Sequence, residues 1–394
     1  MRLIRDLLDK AAPVFKEGGM LERFYPIYEA TDTILFSTDE RTESGPHIRD
    51  SIDIKRVMIL VVISLIPCYV FGALNIGYQK ALTFGLNTTW YENLIAGGIT
   101  ILPIVAVTFI SGAFWELLFS IVRRHPVSEG FLVTCALIPL TLPPSIPLWQ
   151  VSIATSFGIV IGKEIFGGVG MNIFNPALMA RAFLYFTYPA RISGDKVWAI
   201  APDGFSGPTA LSIPAGQTNV NAVELLDKAS STLAFDYSWM NMFMGWIPGS
   251  IGETNKWLIL IGALFLVLIG ITSWRVMVGS VIGMVTMAFI TNVLSPYSTN
   301  AMLTIPPHYH LVMGSFLFGT VFMATEPVTG AHTDKGRWIF GFLVGALTVI
   351  IRSINPAYPE GIMLAILLMN AFAPLIDYYV VQSNIKKRMI RYAQ

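Results

Sequence analysis

Long apolar runs alternate with short polar connections along most of this chain. Ten runs are candidates for membrane helices: 55–74, 93–122, 131–142, 149–161, 172–188, 257–272, 275–294, 311–324, 338–351 and 361–381. A helix that crosses a bilayer needs ~20 apolar residues, within a range of ~17–25, so several of these runs are too short to cross as simple rods. The pattern predicts an all-α polytopic membrane protein with about ten transmembrane helices.

The short runs are interrupted or bounded by residues that break helices. These are Pro139, Pro143, Pro144, Pro147, Gly167, Gly168, Gly170, Pro176 and Pro327. Irregular backbone at membrane depth persists only where it is buried in protein or lines a polar cavity. We therefore expect broken or half helices that line a central site.

The two apolar halves of the chain resemble each other. Residues 130–132 (Gly-Phe-Leu) resemble residues 315–317 (Ser-Phe-Leu), and residues 179–183 resemble residues 368–372. Trp149 and Trp338 each open an apolar run, at the same offset as the second pair of stretches. Because five spans in each half is an odd number, the halves would be inverted repeats, at 55–188 and 257–381. Chance similarity between short apolar stretches is the alternative.

Three polar segments complete the predicted organisation. They are an N-terminal arm at 1–54, a long loop at 189–256 and a basic tail at 382–394. Connections rich in Lys and Arg alternate with connections poor in them, and both terminal segments are basic. Cytoplasmic loops carry the excess of basic residues, so we expect both termini in the cytoplasm and the 189–256 loop outside.

Composition supports a membrane protein and excludes other classes. The chain of 394 residues is 54% hydrophobic and 13% charged, against about 25% charged residues in soluble domains. Its formal net charge of +1 argues against a nucleic-acid partner. Two cysteines, Cys68 and Cys135, cannot supply a four-ligand metal or iron–sulfur site, and buried inert thiols are the expectation.

The long loop carries the most informative motif. It contains the run Asp203-Gly204-Phe205-Ser206-Gly207-Pro208-Thr209. This run resembles the site at which flavin mononucleotide (FMN) is joined to protein through a phosphate ester to threonine. We expect the Thr209 hydroxyl to be exposed on a glycine-bearing turn. An ordinary surface turn is the alternative, because Ser-Gly-Pro is common turn chemistry.

Other stretches extend the resemblance over essentially the whole chain. They are residues 44–50 (Ser-Gly-Pro-His-Ile-Arg-Asp), residues 112–116 (Gly-Ala-Phe-Trp-Glu) and residues 167–177 (Gly-Gly-Val-Gly-Met-Asn-Ile-Phe-Asn-Pro-Ala). Together with the flavin motif they resemble the NqrB/RnfD family of sodium-pumping NADH:quinone oxidoreductase subunits and their relatives. The extended N-terminal arm favours the NqrB-like branch.

The resemblance implies two flavins. Thr209 Oγ1 would carry the phosphate of FMN, attached by a separate flavin transferase, within the motif formed by Asp203, Gly204, Ser206 and Gly207. Pro208 departs from the alanine usual in the family and removes one N–H that could bind phosphate.

The second flavin would be a non-covalent riboflavin on the cytoplasmic side, at Asn172 and Asn175. These amides lie one helical turn apart and offer donors and acceptors to a pyrimidine edge. Helix capping is the alternative role for either asparagine.

The same resemblance assigns a quinone site and a sodium pathway. Gly112, Ala113 and Glu116 would form a slot for a quinone head, with small-residue helix packing as the alternative. Glu326 and Asp377 would belong to the sodium pathway, because ionisable groups within apolar spans are costly and usually functional. The alternative is a carboxylate satisfied by Arg181, Arg352 or a backbone amide, which we favour for Asp377 and for Glu164.

The expected function is one part of an electron-transfer chain in a bacterial inner membrane. Electrons from NADH would enter through another subunit, because this chain contains no Gly-x-Gly-x-x-Gly fingerprint. They would pass from the Thr209 flavin to riboflavin and quinone, coupled to Na⁺ transport. Partners would be subunits of the NqrA, NqrC, NqrD, NqrE and NqrF types. The alternatives are an RnfD-like subunit of a ferredoxin:NAD complex, a urea-transporter-like solute channel and a structural scaffold.

Overall fold

The computed structural model describes residues 2–15, 19–36, 54–125, 127 and 130–393. Regular structure in these residues is helical, and extended pairing is limited to one isolated bridge between Thr218 and Asn300. The α-helices are α1 (Arg2–Phe15), α2 (Tyr25–Leu35), α3 (Ile54–Phe84), α4 (Trp90–Arg123), α5 (Gly130–Leu140), α6 (Leu148–Val160), α7 (Pro176–Thr187), α8 (Ala222–Thr232), α9 (Trp239–Met244), α10 (Lys256–Ile269), α11 (Trp274–Leu294), α12 (Pro307–Val312), α13 (Phe316–Phe318), α14 (Asp334–Ile354) and α15 (Ile362–Ala393). The short α13 continues into the π-helical turn Gly319–Met323.

Each of the ten apolar runs contains a helix, so the all-α prediction is confirmed. Within the described part of the chain, five helices are long and apolar enough to cross a bilayer: Arg56–Phe84, Trp90–Arg123, Trp274–Tyr297, Asp334–Ile354 and Ile362–Arg391. The other helices of the membrane core are shorter, as the Pro and Gly positions predicted. The arrangement as ten spans in two repeats stays a prediction.

Side chains and glycines at the helix ends explain where several helices begin and stop. A capping box starts α4, where the Thr89 backbone N–H donates to Glu92 Oε2 at 2.8 Å. The Thr333 hydroxyl accepts from Gly336 N at 3.1 Å and starts α14. Gly270 ends α10 in the left-handed region that other residues avoid.

Small residues allow the long helices to pack closely. A Cβ added to Gly283 of α11 would overlap the Phe342 carbonyl of α14, and one added to Gly345 would overlap the Ser280 carbonyl. The same holds between α3 and α4, where Gly97 lies against the Ala73 backbone. Membrane helices associate through such close backbone approach, because lipid provides little hydrophobic force between them.

The two halves share an order of helix contacts. In the first half α4 packs on α6, and α6 on α7; in the second half α11 packs on α14, and α14 on α15. The halves meet where α3 contacts α10 and where α7 contacts α15. The match is partial, because α3 packs on α4 whereas α10 makes little contact with α11, so the repeat and its inversion both stay predictions.

The 189–256 segment folds into a cap with its own apolar core. Leu211, Leu226 and Phe235 of the segment pack with Met302 and Met313 from beyond it. Two backbone hydrogen bonds join the parts, from Asn219 N to the Thr299 carbonyl at 2.7 Å and from Ala301 N to the Gln217 carbonyl at 3.1 Å. The core of the cap therefore includes residues 301–313, which lie in the second apolar half and outside the predicted 189–256 loop.

The described part of the N-terminal arm docks on the first half. Arg5 of α1 forms a salt bridge with Asp32 of α2 at 3.2 Å, and α2 contacts α4. Residues 37–53, with the 44–50 stretch, lie outside the described residues, as does residue 394 of the basic tail.

Candidate functional site

Hydrogen bonds fix the flavin motif on both sides of Gly207. The Ser206 hydroxyl donates to Asp195 Oδ2 at 2.7 Å, and Gly207 N donates to the Asp195 carbonyl at 2.8 Å. The Tyr237 hydroxyl donates to the Pro208 carbonyl at 2.6 Å. Burial raises the pKa of Tyr237, so this donor keeps its proton. The segment before the threonine is therefore held in one conformation.

The start of the motif is an exposed turn. Asp203 and Gly204 are both exposed, and Gly204 has a φ of 88°. A residue with a Cβ is strained at that φ, so glycine suits this position. These two residues shape the turn rather than line the space around Thr209.

Thr209 itself is only 6% exposed, so the expectation of an exposed hydroxyl is wrong. The physical reason is that the next two residues, Ala210 and Leu211, enter the apolar core of the cap and draw the threonine inward. Thr209 Oγ1 lies 3.4 Å from Ser212 N, a long hydrogen bond that leaves the oxygen weakly engaged.

Thr209 lines a cavity of about 200 Å³, here called the Thr209 cavity. The other lining residues are Arg181, Tyr185, Ile192, Ser193, Gly194, Trp198, Ser212, Ala215, Pro356, Ala357, Tyr358, Pro359 and Glu360. Sites that enclose a whole ligand usually measure ~300–1,000 Å³. The cavity therefore fits part of a flavin nucleotide, such as its phosphate and adjoining ribityl chain.

A buried group of charges, here called the Arg352 cluster, adjoins this cavity. Arg352 has no exposed surface and donates to the carbonyls of His310, Met313 and Glu360 at 3.0, 2.9 and 3.1 Å. Lys256 Nζ donates to the Gly314 carbonyl at 2.8 Å. The cluster thus satisfies carbonyls where the chain turns between α12 and α13.

Two carboxylates belong to the same cluster. Glu360 Oε2 accepts from Ser315 N at 3.2 Å and from Ser315 Oγ at 3.1 Å. Glu253 Oε1 accepts from Ser250 N at 3.0 Å, and the Glu253 carbonyl accepts from Lys256 Nζ at 2.5 Å. Burial, and then the charge of Glu253, raises the pKa of Glu360.

Two further groups beside these charges are neutral. Burial, and then the charge of Arg352, holds the pKa of His310 well below its usual range. Burial likewise raises the pKa of the Tyr358 hydroxyl. Because a buried group avoids the charged form, neither side chain adds to the charge of the cluster.

A second cavity, of about 80 Å³, brings together three residues that the sequence singled out. Asn172, Asn175 and Glu326 line it with Lys163. Asn172 Nδ2 lies 3.5 Å from Glu326 Oε1, and the Thr329 hydroxyl donates to Glu326 Oε2 at 2.7 Å. The sequence places Asn172 and Glu326 154 positions apart, and the fold gathers them into one polar group.

The two asparagines differ in what they already do. Asn175 Oδ1 accepts from Ala177 N at 3.0 Å and from Leu178 N at 3.2 Å, so this oxygen caps α7. Asn172 instead donates to the Phe174 carbonyl at 3.2 Å and towards Glu326. Capping, the alternative considered for either residue, is thus present at Asn175.

Glu116 lies in a buried ion cluster rather than beside an open slot. It is 1% exposed and forms a salt bridge with Lys163, which is 2% exposed. Lys163 Nζ also lies 3.2 Å from Glu164 Oε1, and Arg123 lies 3.1 Å from Glu164 Oε2. Glu164 is therefore a satisfied carboxylate, as the alternative expected, but its partners are Lys163 and Arg123 rather than Arg181, Arg352 or a backbone amide.

The space beside Gly112 is filled within this chain. A Cβ added there would overlap Cys135 Sγ and meet Ile159 Cδ1 at 3.1 Å, whereas Ala113 is partly exposed. Gly112 therefore serves helix packing between α4 and α5, and a quinone site at 112–116 stays a prediction. Cys135, like Cys68, is a buried free thiol, as expected.

Asp377 anchors a helix start. Its carboxylate accepts from His332 N at 2.7 Å, from Thr333 N at 3.0 Å and from the Thr333 hydroxyl at 2.5 Å. These bonds tie α15 to the beginning of α14. The backbone-amide alternative for Asp377 is thus what the structure shows, and its oxygens are already engaged.

Sequence analysis missed four buried basic side chains as site residues: Lys163, Arg181, Lys256 and Arg352. The two arginines were expected only as partners of carboxylates. A signal was present, because basic residues within or beside apolar runs are costly and need a compensating group. The pattern does not show which of these basic side chains contact one another or the same carboxylates.

Comparison with known proteins gives one consistent result. Residues 41–386 match the NQR2, RnfD, RnfE family. The NqrB protein of the Na⁺-translocating NADH-quinone reductase from Chromohalobacter salexigens is 49% identical, over 98% of this chain and 96% of the relative. The same protein from Azotobacter vinelandii is 47% identical over 99% of each chain, and that from Pseudomonas paraeruginosa is 46% identical over 98% and 99%.

Proposed function

Because the chain belongs to the NQR2, RnfD, RnfE family, we propose that it is the NqrB-type membrane component of a Na⁺-translocating NADH-quinone reductase. In this role it carries FMN on Thr209 and riboflavin beside Asn172, and it passes electrons to quinone. Its termini lie in the cytoplasm and its cap lies outside a bacterial inner membrane. The observation that carries the flavin assignment is the position of Thr209, whose weakly engaged Oγ1 lines a cavity within a motif of the flavin-attachment type.

Attachment requires a flavin transferase and a flavin dinucleotide as the donor. The bond from Thr209 Oγ1 to the FMN phosphorus forms as the diphosphate bond breaks, and a nucleoside monophosphate leaves with the hydroxyl proton. The Ser206, Gly207 and Pro208 contacts hold the backbone next to the reacting oxygen. Because Thr209 is nearly buried, residues of the cap move aside to admit the transferase.

When bound, the flavins supply electron transfer, and the chain supplies the residues that would hold them. The Asn172 amide offers donor and acceptor groups to a flavin pyrimidine edge at the second cavity, while Asn175 keeps the start of α7 in position. The volume of this cavity, about 80 Å³, is small for an enclosed ligand, so these side chains would hold only one edge of riboflavin.

Glu326 provides hard oxygens for Na⁺ in this proposal. It follows the π-helical turn Gly319–Met323 closely, and such turns leave backbone carbonyls irregularly paired. The Thr329 hydroxyl and Asn172 amide lie beside the carboxylate. Carboxylate and hydroxyl oxygens are ligands that hard cations prefer, whereas Asn172 faces the carboxylate with its amide nitrogen. Asp377 contributes instead to the helix junction that holds this region.

The test is the covalent state of the chain. Expressed with its partner subunits and transferase, the parent chain will show a fluorescent flavin band on a denaturing gel and one FMN on the Thr209 peptide. Thr209→Ala will lose both signals, whereas the control Thr218→Ala, an exposed threonine of the same cap, will keep them. A parent chain of unmodified mass would refute the flavin assignment and favour a solute channel or scaffold.

An RnfD-like role is the second candidate, because the matching family includes RnfD. The three relatives are NqrB proteins of the reductase at 46–49% identity, which favours the NqrB-like assignment. Purification of the intact complex decides between the two roles. Recovery of a ferredoxin-linked complex in place of an NADH-quinone reductase would support the RnfD-like role. The flavin site would then serve ferredoxin-linked electron transfer.

A further inference from the structure

Arg181 is a buried cation that the described residues leave without a direct partner. It lies on α7, is 4% exposed and lines the Thr209 cavity. Among the described residues it makes no hydrogen bond within 3.5 Å and no ion pair within 4.0 Å. A guanidinium presents five donors, and a buried one is normally paired, because desolvating an unpaired charge is costly.

Each carboxylate near Arg181 has one oxygen bonded elsewhere, while Glu253 Oε2 is buried without a hydrogen-bond partner among the described residues. Glu360 also lines the cavity, but its Oε2 accepts two hydrogen bonds from Ser315. Glu253 is bonded to Ser250 N. Both act on Arg181 only at longer range, as neighbouring charges. The guanidinium is therefore the cavity-lining group with donors to spare.

The buried charges around the cavity do not balance. Arg181, Lys256 and Arg352 are three cations, and Glu253 and Glu360 are two carboxylates, while His310 and Tyr358 are neutral. One positive charge is left over while all five groups are ionised; burial lowers the pKa of Lys256 to about 8, so this lysine keeps most of its proton at pH 7, and loss of that proton would remove the excess. A buried excess charge calls for one anion.

A phosphodiester matches this excess in charge and in chemistry. An FMN phosphate esterified to Thr209 keeps one negative charge and two free oxygens. Arginine recognises such groups through paired N–H donors, which are shorter and stronger than bonds between neutral groups. Pro208 supplies no N–H beside the threonine, so a side-chain donor is needed where the backbone has none.

We propose that Arg181 is the phosphate anchor of the covalent flavin: its guanidinium binds the phosphodiester on Thr209 and neutralises the cavity. The proposal rests on the proposed attachment of FMN to Thr209. It assigns Arg181 as a positioning residue, which would hold the phosphate next to Thr209.

The experiment is a cycle of variants in the complete complex, co-expressed with the transferase. The forms are the parent, Arg181→Gln, Thr209→Ala and the double variant, with Arg181→Lys as the conservative change and Arg191→Gln as the control. Arg191 is an exposed arginine ten positions along the same chain. The two measurements are covalent flavin per chain by intact mass and the melting temperature of the complex.

Arg181→Gln will lower flavin occupancy several-fold, or lower the melting temperature of the flavin-bearing complex by roughly 3–10 °C, the range expected for a lost charge-assisted bond. In the Thr209→Ala background the same change will leave the melting temperature unchanged or raise it, because no phosphate is there to pair. Arg181→Lys will retain most of the flavin, and Arg191→Gln will match the parent.

Two results would overturn the proposal. Equal destabilisation by Arg181→Gln in both backgrounds would mean that Arg181 serves Glu253 and Glu360 instead. No change in occupancy or melting temperature in either background would mean that it serves no anion. Failure of the flavin assignment is seen separately, as a parent chain of unmodified mass, and would remove both proposals together.

Discussion

Replacement of Lys163 by methionine tests how the buried ion cluster beside the second cavity is held together. Lys163, Glu116 and Glu164 are each 1–2% exposed, and Arg123 is 32% exposed. Within the part of the chain that the structure describes, these four charges balance. Lys163→Met leaves two buried carboxylates to share Arg123, and breaking a buried pair in this way costs about 3–5 kcal/mol.

A second substitution should restore much of that loss. Glu116→Gln in the Lys163→Met background removes one carboxylate, so Glu164 and Arg123 again balance each other at 3.1 Å. We expect the double variant to be more stable than Lys163→Met alone by roughly 2–3 kcal/mol, since contacting charged residues are strongly non-additive.

The assay is thermal unfolding of the full-length chain in detergent, followed by tryptophan fluorescence. A loss of about 3–5 kcal/mol corresponds to a fall in melting temperature of roughly 6–15 °C. The control is Arg275→Met, which breaks a salt bridge to Asp334 at 3.4 Å between groups 31% and 67% exposed. It should cost about 1 kcal/mol or less. A double variant no more stable than Lys163→Met would refute the charge-balance argument.

Two further outcomes follow from the contacts of single residues. Glu326→Gln should raise the Na⁺ concentration for half-maximal quinone reduction several-fold. Asp377→Ala should lower the melting temperature without changing that Na⁺ dependence, because Asp377 is bonded to His332 and Thr333. The reverse pattern would mean that Asp377, and not Glu326, belongs to the sodium pathway. Tyr237→Phe should lower the free energy of unfolding by about 0.5–1.5 kcal/mol, because the hydrogen bond to the Pro208 carbonyl is lost. The control is Tyr297→Phe, since Tyr297 is exposed. Equal effects of the two variants would contradict a stabilising role for the Tyr237 hydroxyl.

The sequence predicted the helical segments well because apolar runs and helix breakers are local signals. Every predicted run contains a helix, and the breaks near Pro143, Gly167 and Pro327 fall between helices. Asn175 was recognisable as a cap because it directly precedes Pro176, the first residue of α7.

Contacts between distant segments were beyond the reach of pattern analysis. The burial of Thr209 depends on the packing of Leu211 with Met302 and Met313, which lie about a hundred residues away in sequence. Likewise, no local feature shows that Cys135 fills the space beside Gly112. The sequence identifies the functional groups of each residue, whereas the contacts in the fold determine whether those groups are available to bind or react.

The buried charges form two groups, one in which cations and carboxylates balance and one in which they do not. Around Lys163, two cations meet two carboxylates within salt-bridge distance, so the charges of this group balance among the described residues. Around the Thr209 cavity, Arg181 leaves one charge in excess and lines the same space as the threonine of the flavin motif. Because burying an uncompensated charge is costly, the unbalanced group is the one that we propose a ligand completes. We therefore expect the anionic cofactor in the Thr209 cavity and not at the ion-paired cluster around Glu116.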